Sequence, residues 1–199
     1  MAMRMINCLE TPNTPGKCLT GGCLYEGRIQ CRDCDMDGLY CDKCILQSHR
    51  SLPFHILEFW ADTHFTRTTL QHLGLILHLN HSGEACPHVL SGSGIREVTI
   101  IDTNGVHLVS IGYCRCIGRP SFSEQLFQLR IFPASTINPK TGFTFRVLRQ
   151  FHMLNHIAKT TPWDYAGTIN RLTDNVNIQA VPVCFILYSK NDIYRVFKL

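Results

Sequence analysis

The chain has 199 residues, 45% of them hydrophobic, and a formal net charge of +4, so it can form a folded core. No apolar run reaches membrane-spanning length, and the first eight residues contain no apolar stretch typical of a secretory signal. Eleven cysteines interspersed with ten histidines favour metal binding in a reducing compartment over a secreted disulfide scaffold. We therefore expect an intracellular metal protein.

The N-terminal part predicts a small cysteine-rich module. Residues 1–17 are polar and contain prolines, so we expect a flexible lead, followed by the module over residues 18–60. Asp37-Gly38 favours a hairpin turn, and a short helix should begin at Cys41-Asp-Lys-Cys44. Pro53 should end that helix and leave the following residues extended.

The middle of the chain predicts strands. Leu73–Leu79, Glu97–Asp102 and Val106–Tyr113 are apolar and partly β-branched. Asn104-Gly105 between the last two is typical of a two-residue hairpin. Residues 82–94 are rich in Gly and Ser and read as a loop.

The pattern changes to a helical period over residues 123–174. One apolar face recurs from Thr141 to Lys159 and predicts a helix there, and Thr161-Pro162 indicates the start of the next. The tail from Ile178 has strand-like composition without a clear partner.

Eight potential metal ligands stand in four pairs early in the chain. They are Cys18 and Cys23, Cys31 and Cys34, Cys41 and Cys44, and His49 and His55. A tetrahedral Zn²⁺ takes four such ligands, so four pairs suit two zinc ions. In a cross-braced module the first and third pairs share one ion and the second and fourth share the other. Sequential pairing is the alternative, and the spacing alone leaves it open.

A second constellation lies in the strand region and consists of Cys86, His107, Cys114 and Cys116. It would hold a third zinc ion. His88 competes with His107 for the fourth position, because Cys86-Pro87-His88 is a tight turn. The alternative interpretation is a set of small buried thiols and surface histidines.

The order of these motifs resembles the CxC-type cysteine cluster domain associated with KDZ (Kyakuja–Dileera–Zisupton) transposases. The resemblance covers roughly residues 18–176. The residues that carry it are Cys31-x-x-Cys34, Cys41-x-x-Cys44, His49, Pro53-Phe54-His55, Phe59-Trp60, Leu73-Gly74-Leu75, Cys86-Pro87, Ile101-Asp102-Thr103-Asn104-Gly105-Val106-His107, Cys114-Arg115-Cys116, Phe132-Pro133-Ala134-Ser135, Thr144-Phe145-Arg146-Val147-Leu148 and Arg171-Leu172-Thr173-Asp174-Asn175.

This resemblance implies a zinc-binding, non-catalytic domain of fungal transposons that lies upstream of an RNase H-like catalytic domain. The family's pattern includes the positions of Cys86, His107, Cys114 and Cys116. After Asn175 the chain leaves that pattern, so we expect a module without the catalytic domain. The cysteine-rich part also resembles B-box and ZZ fingers, which bind protein partners.

We therefore predict an α+β fold in which a cross-braced, B-box/ZZ-like zinc finger (18–60) precedes a small β-sheet with a second zinc cluster and a C-terminal helical hairpin (61–176). A divergent tail (177–199) follows. The expected function is that of a non-enzymatic, nuclear module that binds DNA or a protein partner, without a small-molecule substrate or membrane contact. A zinc hydrolase and a transposon relic without selected function are the alternatives.

The net charge does not by itself indicate nucleic-acid binding. Zinc-bound cysteines are thiolates, so three filled sites would reduce the charge from +4 to about +1. Nucleic-acid binding would then depend on a local patch, for which the basic residues to test are Arg28, Arg32, Lys43, Arg50 and Arg67.

Overall fold

The computed structural model describes residues 15–35, 38–88, 94–175, 177 and 181. Most of the expected N-terminal lead, Asp37 of the expected turn and most of the strand-like tail lie outside the described residues. The chain divides into two compact units, Met1–Leu75 and Ile76–Leu199. This division falls later in the chain than the boundary expected after residue 60.

In its described residues, the first unit contains two small antiparallel sheets and one helix. β1 (Gly16–Lys17) pairs with β2 (Glu26–Gly27), and β3 (Ile29–Cys31), β4 (Leu57–Trp60) and β5 (Phe65–Thr68) form a three-stranded sheet in that order. The predicted short helix is confirmed as α1 (Asp42–Ser48), with Cys41 as its N-cap. Among the described residues of this unit, a small apolar core contains the fully buried Ile29, Ile45 and Leu57 together with Leu70. Such a small core leaves much of the stability of this unit to other interactions.

The second unit is built on a five-stranded mixed sheet. β6 (Ile76–His78), β7 (Ile95–Asp102), β8 (Gly105–Gly112), β9 (Ile131–Pro133) and β10 (Thr141–Thr144) lie in the order β6-β8-β7-β10-β9. The predicted hairpin is confirmed, since β7 and β8 are antiparallel neighbours, but its loop is shifted by one residue: Asp102 pairs with Gly105, so the two loop residues are Thr103 and Asn104. β6 and β10 run parallel to their neighbours β8 and β7.

Within the part of the second unit that the structure describes, three helices accompany this sheet: α2 (Phe122–Gln128), α3 (Phe145–Ala158) and α4 (Pro162–Thr173). α2 begins with a capping box, in which Ser121 and Glu124 exchange side-chain-to-backbone hydrogen bonds. The predicted start of α4 is also confirmed, because Thr161 Oγ1 accepts a hydrogen bond from the Asp164 N–H. The core between α3, α4 and the sheet includes Ile101, Phe143 and Val147.

The expected helix over Thr141–Lys159 is wrong in its first four residues, which form strand β10. All four residues are buried, and they pair with β7 on one side and β9 on the other. A Cβ on Gly142 would lie 2.5 Å from Ile131, so this strand requires the glycine for close packing. The helical pattern includes this strand because Phe143 stands four residues before Val147, which is also the spacing of one helix face, and both side chains belong to the same core.

The expected α+β class is confirmed at this level: the described residues contain four α-helices and three small sheets. In the same residues, no helix combines the length and hydrophobicity that crossing a membrane requires.

Candidate metal centres

Three groups of four cysteine and histidine side chains converge in the described residues. Within each group all four ligand atoms lie within 4.8 Å of one another. We refer to them as the first cluster (Cys18, Cys23, Cys41, Cys44), the second cluster (Cys31, Cys34, His49, His55) and the third cluster (His81, Cys86, Cys114, Cys116).

The first cluster has the dimensions of a tetrahedral Cys₄ site. Cys23 Sγ lies 3.8 Å from Cys41 Sγ and 3.7 Å from Cys44 Sγ. Sulfur atoms bound to one tetrahedral zinc at about 2.3 Å are separated by about 3.8 Å. A disulfide requires sulfur atoms about 2 Å apart, and all nine described cysteines are free. The observed separations therefore fit a shared metal ion and not a disulfide.

The local backbone positions these four thiols. Cys18 directly follows β1, and its N–H donates to the Tyr25 carbonyl, which closes the hairpin that carries Cys23. Gly22 has φ of +78°, a conformation that glycine adopts without steric cost. The Cys41 N–H donates to Cys18 Sγ at 3.3 Å and connects this hairpin to the start of α1.

The thiols of the first cluster differ in proton affinity. Burial raises the pKa of Cys18, but N–H groups of the backbone at Cys41 and Thr20 outweigh it and lower this pKa to about 6. A hydrogen bond from Thr20 lowers the pKa of Cys44, but the neighbouring thiols and burial outweigh it and raise this pKa to about 12. Without a cation, ionisation of one thiol therefore disfavours ionisation of its neighbours. A divalent metal would stabilise all four thiolates together.

The second cluster has the dimensions of a Cys₂His₂ site. His55 Nδ1 lies 3.4 Å from both Cys31 Sγ and Cys34 Sγ, and His49 Nε2 lies 3.5 Å from Cys34 Sγ. Nitrogen and sulfur ligands on one tetrahedral zinc are about 3.5 Å apart.

A hydrogen bond to the backbone orients His49 toward this cluster. Its Nδ1 lies 3.1 Å from the Ile45 carbonyl, which can only accept, so Nδ1 carries the proton and Nε2 offers its lone pair to a metal. Burial lowers the pKa of His49, which favours the neutral imidazole that binds metals. Burial also raises the pKa of Cys31 to about 12, so a cation is required to hold this thiol as a thiolate.

Of the two pairings that the spacing left open, the structure brings together the interleaved one. The first and third ligand pairs meet in the first cluster, and the second and fourth pairs meet in the second cluster. α1 makes this possible because Cys41 and Cys44 lie at its N-terminal end and His49 is its C-cap. One helix therefore contributes to both clusters.

The third cluster contains Cys86, Cys114 and Cys116 as expected, but its histidine is His81. His81 Nε2 lies 3.2 Å from Cys114 Sγ and 3.6 Å from Cys116 Sγ, and Cys86 Sγ lies 4.0 and 3.8 Å from the same two sulfurs. N–H groups of Arg115 and His88 lower the pKa of Cys86 to about 6 despite its burial.

The two histidines that the sequence suggested as the fourth ligand lie outside the third cluster. His107 is buried in β8, and its Nε2 lies 2.8 Å from Asn104 Oδ1 in the hairpin turn. His88 is exposed and contributes its backbone N–H, not its imidazole, to Cys86. Neither imidazole belongs to the third cluster.

His81 was missed because it adjoins the residues that read as a loop. It lies at the start of a short 3₁₀ turn (His81–Gly83), where Asn80, His81 and Ser82 all have positive φ. A signal was nevertheless present, since His81 and Cys86 have the same spacing as Cys18 and Cys23.

Gln125 is a supporting residue that the sequence did not indicate. Its side chain is buried in α2, and its Oε1 accepts from the Cys114 N–H at 2.9 Å while its Nε2 donates to the Cys114 carbonyl at 3.1 Å. Oε1 also lies 3.4 Å from Asn80 Nδ2, next to His81. One amide therefore holds both segments that contribute to the third cluster.

A comparison with protein families now bears on this geometry. The model described as "CxC2 like cysteine cluster associated with KDZ transposases" matches residues 70–177, more than half of the chain. The chain belongs to this family. The resemblance seen in the sequence is thereby confirmed, and the CxC2 match includes all four residues of the third cluster.

The first and second clusters precede the residues matched by the CxC2 family. The family is a cysteine cluster domain and not a catalytic domain. Searches of the curated proteins and of the solved structures gave no significant match.

Proposed function

We propose that this chain is a non-catalytic, zinc-binding module of KDZ transposase type that binds nucleic acid or a protein partner. The observation that carries the proposal is that each cluster offers four protein ligands at separations suited to a tetrahedral ion. Four protein ligands leave no coordination position for a reactive water, which is the arrangement of structural zinc sites.

The composition of the three clusters favours zinc over other metals. Thiolate and imidazole ligands in tetrahedral sets suit Zn²⁺, whereas Mg²⁺ and Ca²⁺ prefer oxygen ligands. The proposed ligands are the twelve residues of the three clusters, with two ions in the first unit and one in the second. An intracellular, nuclear location is part of this proposal, in keeping with the free thiols of the described cysteines.

Metal content tests the proposal directly. We expect elemental analysis of the purified chain to give three zinc ions per chain. X-ray absorption at the zinc edge should show four sulfur or nitrogen neighbours and no bound water. A site with three protein ligands and one water would support the hydrolase alternative, and absence of zinc would refute the whole proposal.

A cavity in the first unit favours a protein partner as a second candidate function. It has a volume of about 540 Å³ and runs beside the edge strand β5. Its lining combines apolar, hydroxyl and charged groups: Asp42, Phe59, Thr66, Arg67, Thr68, Thr69, His72 and Leu73. Such a mixed lining at a sheet edge suits an extended peptide.

Peptide selection on the zinc-loaded chain would test this second candidate. We expect enriched peptides to lose binding in a Thr66→Trp variant, which fills the cavity, and to keep it in a Thr63→Trp variant, whose exposed position does not line the cavity. Equal binding by both variants would place the peptide elsewhere.

A further inference from the structure

We propose that three arginines around Phe122 bind the phosphate backbone of duplex DNA. We call Arg96, Arg115 and Arg119 the arginine cluster. The proposal rests on the proposed function, because it assigns the partner of the zinc-binding module and the surface that contacts it. None of these arginines was among the basic residues that the sequence suggested for testing.

The three guanidinium groups converge on one aromatic ring. The Cζ atoms of Arg96, Arg119 and Arg115 lie 4.3, 5.9 and 6.0 Å from the Phe122 ring centroid. Each cation is attracted to the ring, but three like charges so close together repel one another. A bound anion would relieve this repulsion, and phosphate is the anion that arginine's fork of N–H donors recognises best.

The backbone under the arginine cluster is held in place before any ligand binds. Arg96 extends from strand β7, while Arg115 and Arg119 belong to the segment that contains Cys114 and Cys116. The Arg115 N–H donates to Cys86 Sγ at 3.4 Å, and the Arg119 N–H donates to the Cys116 carbonyl at 3.2 Å. Less conformational entropy is therefore lost on binding than for arginines on a free loop.

The third cluster, when it holds its ion, would not by itself neutralise the arginine cluster. Three thiolates and one Zn²⁺ give that site a net charge of about −1. The arginine cluster contributes three positive charges beside it. Glu124, two residues after Phe122, has its carboxylate hydrogen-bonded to Ser121 N and Oγ in the capping box.

The aromatic ring in this surface favours phosphate contacts over base stacking. Phe122 is only partly exposed, its ring packs edge-on against Tyr113 at 4.8 Å, and Arg96 lies over it. Single-stranded nucleic acids are usually held by open aromatic faces, which this ring does not offer. Arginines directed at phosphates suit a duplex, and DNA is the nucleic acid on which transposases act.

The test compares two variants that lower the net charge equally. The first replaces Arg96, Arg115 and Arg119 with Gln, and the matched control replaces Arg149, Lys159 and Arg171 with Gln on α3, its C-cap and α4. Binding of a fluorescent mixed-sequence DNA duplex is measured by anisotropy over a series of salt concentrations. We expect the first variant to lose affinity about tenfold or more and its salt slope to fall by up to about 3, while the control stays close to wild type.

Metal content separates the failure of this proposal from failure of the zinc-binding module. Three zinc ions in a wild-type chain that does not bind duplex DNA would overturn the arginine assignment and leave the module intact. Equal losses in the two variants would also overturn it, because binding would then follow overall charge. Tighter binding to single strands, RNA or phosphatidylserine vesicles than to the duplex would overturn the choice of partner. Vesicles are a relevant competitor because Ile117, an apolar residue on the same segment, is fully exposed. If the triple variant loses zinc, the single variant Arg119→Gln on the exposed turn replaces it and should still lower affinity severalfold.

Discussion

Gln125 and Cys114 are joined by two hydrogen bonds that reproduce a strand-like pairing between a side chain and a backbone. The amide of Gln125 accepts from the Cys114 N–H at 2.9 Å and donates to the Cys114 carbonyl at 3.1 Å. It also donates to the Pro120 carbonyl at 3.0 Å. The position of the C-x-C segment (Cys114-Arg115-Cys116) thus depends on a residue of helix α2.

We expect Gln125→Ala to weaken the third metal site more than it weakens the fold as a whole. Loss of a supporting hydrogen bond around a metal ligand typically lowers affinity about 10- to 100-fold. Competition with a chromophoric chelator would measure the affinity. Gln128→Ala is the control, since Gln128 lies on the same helix and is exposed. Unchanged affinity in Gln125→Ala would show that the amide has no role in positioning the site.

Replacing His81 should remove one metal ion and leave two. His81 supplies the only nitrogen of the third cluster, so His81→Ala leaves three thiols there and an incomplete site. Elemental analysis of His81→Ala should give two zinc ions per chain, and His88→Ala should retain three. A third ion lost in His88→Ala but kept in His81→Ala would reverse this ligand assignment.

Metal removal should unfold the first unit. Its apolar core is small, and the two clusters connect α1 to the hairpins, so metal-binding energy contributes directly to folding energy. Trp60 is buried in this unit against Phe65, whereas Trp163, the other tryptophan, is 57% exposed. In a Trp163→Phe variant, a strong chelator should therefore shift tryptophan emission to the red, and added zinc should reverse the shift. Emission that stays unchanged after complete metal removal would contradict this expectation.

Thr144→Val should destabilise the second unit by about 2–3 kcal/mol. Thr144 caps α3 by accepting from the Val147 N–H, and its hydroxyl donates to the buried carboxylate of Asp102 at 2.6 Å. Asp102 then keeps Arg146 as a partner but loses a hydrogen bond in a buried position. Urea unfolding would measure the change, with Thr168→Val on the exposed face of α4 as a control expected within about 0.5 kcal/mol of wild type.

Stability should fall at alkaline pH through Tyr165. Burial, and then the Asp102 carboxylate, raise the pKa of Tyr165 to about 12, and its hydroxyl donates to Gln150 Oε1 at 2.7 Å. The unfolded chain releases this proton near pH 10. The stabilising contribution of protonated Tyr165 is therefore complete below about pH 10 and is lost as pH rises toward about 12. Tyr165→Phe should be less stable at neutral pH but show a shallower alkaline decline in urea unfolding. An equally steep decline in the variant would assign the effect to another group.

The sequence predicted the parts of this fold that depend on neighbouring residues. Asn104-Gly105 specifies a tight turn because glycine tolerates positive φ, and Thr161-Pro162 specifies a helix start because the threonine hydroxyl can accept an N–H of the first turn. Eleven of the twelve clustered side chains were also among the expected ligands, and eight of them form closely spaced cysteine pairs, which are a local signal because a metal-binding turn is itself a local structure.

The tertiary structure decided which pairs share a cluster and which histidine completes the third. Spacing alone is compatible with sequential or interleaved pairing, and α1 joins the two clusters only once it has packed through Ile45 on the core. His107 lies next to the hairpin in the sequence, which made it the expected fourth ligand of the third cluster. In the structure, strand β8 holds its side chain beside Asn104 instead. His81 reaches the C-x-C segment because β6 lies parallel to β8, which brings the ends of both strands to the same edge of the sheet. Such a long-range pairing leaves no periodic signal in the sequence, since it depends on how the strands are ordered in space.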